Sequence, residues 1–185
     1  MAKLVFRLFI GLLLLAAGAA AGFAAAKLLR GDDNSTIITV YEDWRLVCPP
    51  TGQQSCHADQ DVVDGHTGAA LARLVIASSS GARSVTITLP HNLLIPPGIA
   101  LKVGNAPAQV FPYDLCDRVG CIVPISVDAN GEAKLRNAQR GTITVVNAEN
   151  KSATIQFSLR GLSNALDAMD RATHARTSWW KKVLS

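Results

Sequence analysis

The residues able to do chemistry in this chain are few and dispersed. They are four cysteines (Cys48, Cys56, Cys116, Cys121), four histidines (His57, His66, His91, His174) and two carboxylate groups, Asp59/Asp61/Asp64 and Asp114/Asp117. Nucleophilic hydrolysis needs a serine on a strained turn, and the chain holds no G-x-S-x-G; Ser78-Ser79-Ser80-Gly81 reads instead as a hairpin connection. Asp59/Asp61/Asp64 has the look of a weak calcium loop but lacks the loop glycine and the closing Glu, while Asp114/Asp117 reads as a capped turn. None of the cysteine spacings is C-x-x-C, and His57 beside Cys56 would strain to share one tetrahedral zinc with its neighbour. A catalytic thiol would leave an odd number of cysteines to pair. The expectation is therefore a protein without catalytic residues, metal or cofactor, and Asp59, Asp61 and His57 are the residues any enzymatic alternative would have to use.

The cysteines acquire meaning from what precedes them. Residues 8–26 (LFIGLLLLAAGAAAGFAAA) carry no charge, with Lys3 and Arg7 before them and Lys27 and Arg30 after. As a helix, 19 residues rise about 28 Å, close to the hydrocarbon thickness of about 30 Å. The same run reads as a secretory signal, with a basic start, a Leu-rich centre and Ala-x-Ala at Ala19–Ala21 or Ala24–Ala26. Both readings imply export. The run exceeds the usual signal core of about 7–15 residues, which favours a retained anchor whose lipid-facing residues include Leu8, Leu12, Leu15 and Phe23. Charge placement favours an N-in orientation. The expected location is the inner membrane, single-pass, with the domain in the periplasm; the alternative is a periplasmic or secreted protein after cleavage. In such a compartment four cysteines read as two disulfides. Three connectivities exist, and the local pairs Cys48–Cys56 and Cys116–Cys121 are preferred because each closes a short loop with Pro or Gly turn chemistry.

At 185 residues, 49% apolar and 17% charged, the chain supports one domain with a real core and is not a disordered composition. The net charge of +4 comes from the ends: residues 27–159 hold 11 basic against 12 acidic groups, and residues 160–185 hold 5 against 2. A nucleic-acid-binding face is not expected. The organisation expected is a signal-anchor or signal peptide over 1–30, an exported β-rich domain over 31–162, and a C-terminal helix with a basic, Trp-bearing tail over 163–185.

Residues 36–47 and 69–77 are rich in β-branched and aromatic side chains bounded by Pro, Gly, Ser and Asp, and they predict strands. Over 83–89 the alternation of Val85, Ile87 and Leu89 with Ser84, Thr86 and Thr88 puts one apolar set on one sheet face. Pro90 and Pro96-Pro97-Gly98 interrupt pairing before alternation resumes at Ile99, Leu101 and Val103. Further strands are expected over 107–113, 120–127, 141–146 and 152–159, with a short helix over 131–140. About eight short strands predict an antiparallel β-sandwich or barrel-like domain. After Gly161 the period becomes helical through Leu162, Leu166 and Met169, with Ser163 as N-cap. The end of the chain, with Trp179, Trp180, Lys181 and Lys182, suits a membrane interface, with packing of one Trp on the sheet and a partner-protein groove as the other two readings.

Taken in order, Trp44-Arg45-Leu46-Val47-Cys48, Cys56, Gln60, Leu89-Pro90, Pro97-Gly98-Ile99-Ala100-Leu101, Cys116, Gly120-Cys121 and Phe157-Ser158-Leu159-Arg160-Gly161-Leu162 resemble the invasion-associated locus B family over about residues 40–168. The resemblance implies a small, β-rich exported domain of alphaproteobacterial envelopes, without established catalytic residues and associated in some pathogens with host-cell invasion. Leu162, where the family usually has an aromatic, and the basic tail depart from that pattern. The function expected is a non-enzymatic, membrane-anchored periplasmic domain that holds lipid through its N-terminal helix and binds or stabilises an integral membrane-protein complex as an accessory subunit. The alternative is a cleaved, secreted factor acting at a host-cell surface. Asn34-Ser35-Thr36 and Asn150-Lys151-Ser152 match the glycosylation triplet and are assigned no role.

Overall fold

The computed structural model describes residues 35–50, 55–79 and 82–183, with only the backbone described from residue 176 onward. Residues 8–26, with Leu8, Leu12, Leu15 and Phe23, lie outside the described residues, so the expected membrane segment does too. Among the described residues no helix is long and apolar enough to cross a membrane.

Thr36–Ser185 forms one compact unit. Its strands are β1 (Ile37–Tyr41), β2 (Trp44–Cys48), β3 (His57–Val63), β4 (Ala70–Ser79), β5 (Ala82–Leu89), β6 (Ile99–Val103), β7 (Gln109–Phe111), β8 (Leu115–Cys116), β9 (Cys121–Val127), β10 (Arg140–Val146) and β11 (Ser152–Ser158); its helices are α1 (Ala129–Asn137) and α2 (Leu162–Val183). All strand pairs are antiparallel, in a seven-stranded sheet ordered β1-β2-β3-β4-β5-β9-β8 and a four-stranded sheet ordered β11-β10-β6-β7. The fold is thus mainly β with a C-terminal helix, as the short, alternating strands predict.

Alternation decides which face is buried. Val85, Ile87 and Leu89 of β5 and Val123 and Ile125 of β9 face the core, and Ile143, Val145, Ile155 and Phe157 answer them from the smaller sheet. The α2 stripe of Leu162, Ala165, Leu166 and Met169 is buried at the i, i+3, i+4, i+7 spacing of one helix face. That helix packs on β1, β2 and β3. The larger sheet therefore hides one half of its inner face under a helix, while its other half shares the core with the smaller sheet.

Four expectations are corrected here. Residues 36–47 are not one strand but a hairpin: Tyr41 pairs with Trp44, and Glu42 takes φ +52° in the turn. Asp59 and Asp61 lie in β3, a strand not expected from the sequence, and the alternate residues Ala58 and Gln60 point inward. The C-terminal helix begins at Leu162, ahead of Ser163, so Ser163 is not its cap. Its hydroxyl instead accepts from Arg136 Nη1 at 3.4 Å. The short helix α1 lies two residues earlier than read, because Asp128 caps it by accepting from Gly131 N at 2.7 Å.

Candidate functional site

Both disulfides form in the locally preferred pairing, Cys48–Cys56 with Cα atoms 4.2 Å apart and Cys116–Cys121 with 3.9 Å. Register explains the choice. Arg45, Leu46 and Val47 face Asp59, Ala58 and His57, so the next rung of the same ladder sets Cys48 opposite Cys56; Cys116 faces Cys121 directly. Each bridge ties the end of a hairpin.

The carboxylates that any enzyme reading would use are engaged. On the outer face of the large sheet, Arg45 stands opposite Asp59, and Arg73 opposite Asp61. Asp59, 2% exposed, accepts from Arg45 Nε and Nη2, each at 2.9 Å, and from Arg73 Nη2 at 2.8 Å. Hydrogen bonds from Arg45 to Asp59 and then Asp61 raise the guanidinium pKa further above its ordinary value. Three charge-assisted hydrogen bonds from two guanidinium groups therefore occupy the Asp59 carboxylate. Asp64 is separate: it caps the following turn, accepting from Thr67 N at 2.7 Å and His66 N at 3.0 Å, and these bonds hold its carboxyl below the usual range. Asp117 likewise accepts from Val119 N at 2.8 Å, which is the capped turn read from the sequence. Among the described residues no group of three or more His, Cys, Asp or Glu side chains converges as a metal site.

A second charged cluster was not legible in the sequence. Arg83 bonds Glu132 of α1 at 2.9 Å and Asp170 of α2 at 2.6 Å, and Arg136 bonds Glu132 at 2.8 Å and Asp167 at 2.7 Å. Burial pushes the Glu132 carboxyl up, but hydrogen bonds from Arg83 and Arg136 outweigh it and hold the pKa below the ordinary value. These groups lie 31 to 87 residues apart in sequence for the longest pairs, so only the fold brings them together.

The motif residues that carry the family resemblance converge on one joint. Trp44 Nε1 donates to Ser158 O at 3.0 Å, Gln60 Nε2 to Asp43 O at 2.9 Å, Ser158 Oγ to Asp43 Oδ2 at 2.6 Å and Arg160 Nε to Glu42 Oε2 at 3.1 Å. Gly161, at φ +82°, lies so close to the Tyr41 carbonyl that a Cβ would collide with it. Together these contacts fasten the β1–β2 turn to the corner between β11 and α2. Their chemistry is that of a fold-defining joint.

A family model described as Invasion associated locus B (IalB) protein matches residues 44–170, from that tryptophan to the middle of α2. The chain belongs to the invasion associated locus B family. Two invasion protein B homologs from Brucella abortus, of strain 2308 and of biovar 1 strain 9-941, are each 24% identical over 142 residues, spanning 75% of this chain and 82% of theirs. The crystal structure of invasion associated protein b from Bartonella henselae superposes with a TM-score of 0.68 at 22% identity, covering 74% of this chain and 98% of that one. That likeness shows the fold of this family member.

Two surface features complete the site. Strand β1 is an edge of the large sheet, and Ile38 and Val40 on its outer face are 60% and 64% exposed. At one end of the core the two sheets part around a cavity of about 420 Å³ with Trp44 among its walls. Trp179, Trp180, Lys181 and Lys182 belong to helix α2, so the expected tail is helical through Val183; their side-chain surroundings lie outside the described residues.

Proposed function

We propose that this protein is a non-enzymatic envelope module, tethered in the inner membrane by residues 8–26 with its domain in the periplasm, that binds an integral membrane-protein complex as an accessory subunit. The observation that carries this reading is the exposed apolar edge strand β1, which follows directly on the N-terminal segment in sequence. An unprotected edge with branched apolar side chains is a template for strand addition by a partner, and native proteins otherwise guard such edges with charge or proline. The carboxylates that enzyme chemistry would require are tied up in ion pairs, and the motif residues serve the fold, which supports a binding role over a catalytic one. The Trp-Trp-Lys-Lys segment of α2 supplies a second contact at the membrane interface.

The test is affinity purification of the tagged full chain from native membranes in mild detergent, with mass spectrometry of the co-purifying proteins and of the chain's own N-terminus. A stoichiometric membrane protein recovered with an intact Met1, and lost on Val40→Lys or on removal of residues 178–185, is the expected result. A lone chain beginning near Lys27 would overturn the accessory role and favour the cleaved, secreted alternative.

A further inference from the structure

The cavity at the end of the core is an apolar cleft of about 420 Å³, open to solvent on one side. That volume falls within the roughly 300–1,000 Å³ of small-molecule sites. Its deep walls are Leu74, Ile76, Val85, Ile87 and Ile125 of the large sheet with Phe157 of the small one. Nearer its mouth Leu101, Val103, Phe111, Val127 and Leu135 also line it, and each is only half-buried although the alternation of its strand or helix turns it toward the core. Apolar side chains aimed inward and left part-wet are what an apolar ligand would cover.

The rim has a polarity of its own. Lys134 of α1 lines both the cavity and an adjoining surface depression, which also contains Arg140 and the polar side chains of Asn105, Asn137 and Gln139. No carboxylate lines that depression. Among the described residues neither Lys134 nor Arg140 forms an ion pair; Lys102, Arg118 and Arg171 form none either, but Lys134 and Arg140 share one depression beside the cavity. Asp128 stands at the cavity rim, but its carboxylate caps α1.

An apolar slot with Lys134 at its rim and Arg140 in the adjoining depression, neither of them ion-paired, is complementary to a molecule with a hydrocarbon tail and a negative head. We infer that the space between the sheets is a binding site for an anionic amphiphile with a long acyl chain, the chain between Leu101, Phe111 and Ile87 and the head between Lys134 and Arg140. This site is independent of the edge strand, so either reading can fail alone.

The experiment is photolabelling of the full chain in native membranes with a diazirine-bearing C16 fatty acid, followed by peptide mapping. Label is expected on the peptides that carry residues 99–111 and 127–135. Unlabelled palmitate should displace it and inorganic phosphate should not, and the methyl ester of the same probe should label those peptides at least five-fold less. Leu101→Trp, which fills the slot, and the surface pair Lys134→Glu with Arg140→Glu should each cut the labelling at least five-fold; the surface pair keeps the test sound where the filled core fails to fold. Label confined to residues 8–26, displacement by phosphate, or equal labelling by the acid and its methyl ester would overturn the proposal.

Discussion

The outer-face cluster makes a quantitative prediction about how its charges share one buried carboxylate. Arg45→Ala removes two of the three hydrogen bonds to Asp59 and its contact with Asp61; Arg73→Ala removes the third. Charge-assisted hydrogen bonds contribute roughly 1.5–3 kcal/mol when well buried, but the arginines are 41% and 52% exposed, so solvent screens them. We expect about 1–2 kcal/mol for Arg45→Ala and about 0.5–1 for Arg73→Ala. The double substitution is different in kind. It leaves Asp59, 2% exposed, with no counter-charge, and an uncompensated buried charge costs about 3–5 kcal/mol. The double variant should therefore lose about 1–2 kcal/mol more than the singles together. Adding Asp59→Asn to it should recover most of that excess, since the buried charge is then gone. Urea unfolding of the full chain in mild detergent, followed by far-ultraviolet circular dichroism, measures all four free energies on one scale. Singles that add to the double within about 0.5 kcal/mol, or no recovery with Asp59→Asn, would refute the claim that the arginines are there to hold this carboxylate.

Other consequences can be checked alongside. Loss of Cys48–Cys56 or Cys116–Cys121, which span 8 and 5 residues, should cost about 2.5 and about 2 kcal/mol by loop-closure entropy, read as a fall in Tm of the double-serine variants. Glu132 has its pKa lowered in the fold, so its contribution is present above the ordinary Glu range and is lost as pH falls through the depressed value; Glu132→Gln should lower stability at neutral pH and flatten its acid dependence in pH-resolved melting curves. Gly161→Ala should destabilise by about 2–3 kcal/mol, since it adds left-handed strain of about 1–3 kcal/mol to a collision with the Tyr41 carbonyl; a Tm equal to that of the parent would show that the turn can move away freely.

Much of the larger architecture was legible along the chain. Strands whose apolar residues alternate cleanly, such as Ala82–Leu89 and Arg140–Val146, declare both their conformation and their buried face. The 3.6-residue period after Gly161 declares α2 in the same way. Strand β3 was hidden because its outer positions are His57, Asp59 and Asp61, residues of low strand propensity that are acceptable only because Arg45 and Arg73 lie on the neighbouring strands. The β1–β2 turn was hidden because Glu42 carries neither glycine nor asparagine into its positive φ, and Gln60, Ser158 and Arg160 supply the holding contacts from elsewhere.

By itself the sequence determined local matters: periodicity, the apolar N-terminal run, an even set of cysteines and the order of motifs that marks the family. These are properties of neighbours along the chain, and a period or a spacing can be counted without knowing the fold. What the tertiary structure decided is every relation between distant residues. Strand register set the cysteine pairing, made the aspartates one half of an ion-pair ladder, and the fold joined Arg83 to Asp170 across 87 residues. The cavity belongs to the same class, because a space between two sheets exists only once both are folded, and the apolar residues that line it do not differ in type from ordinary core residues.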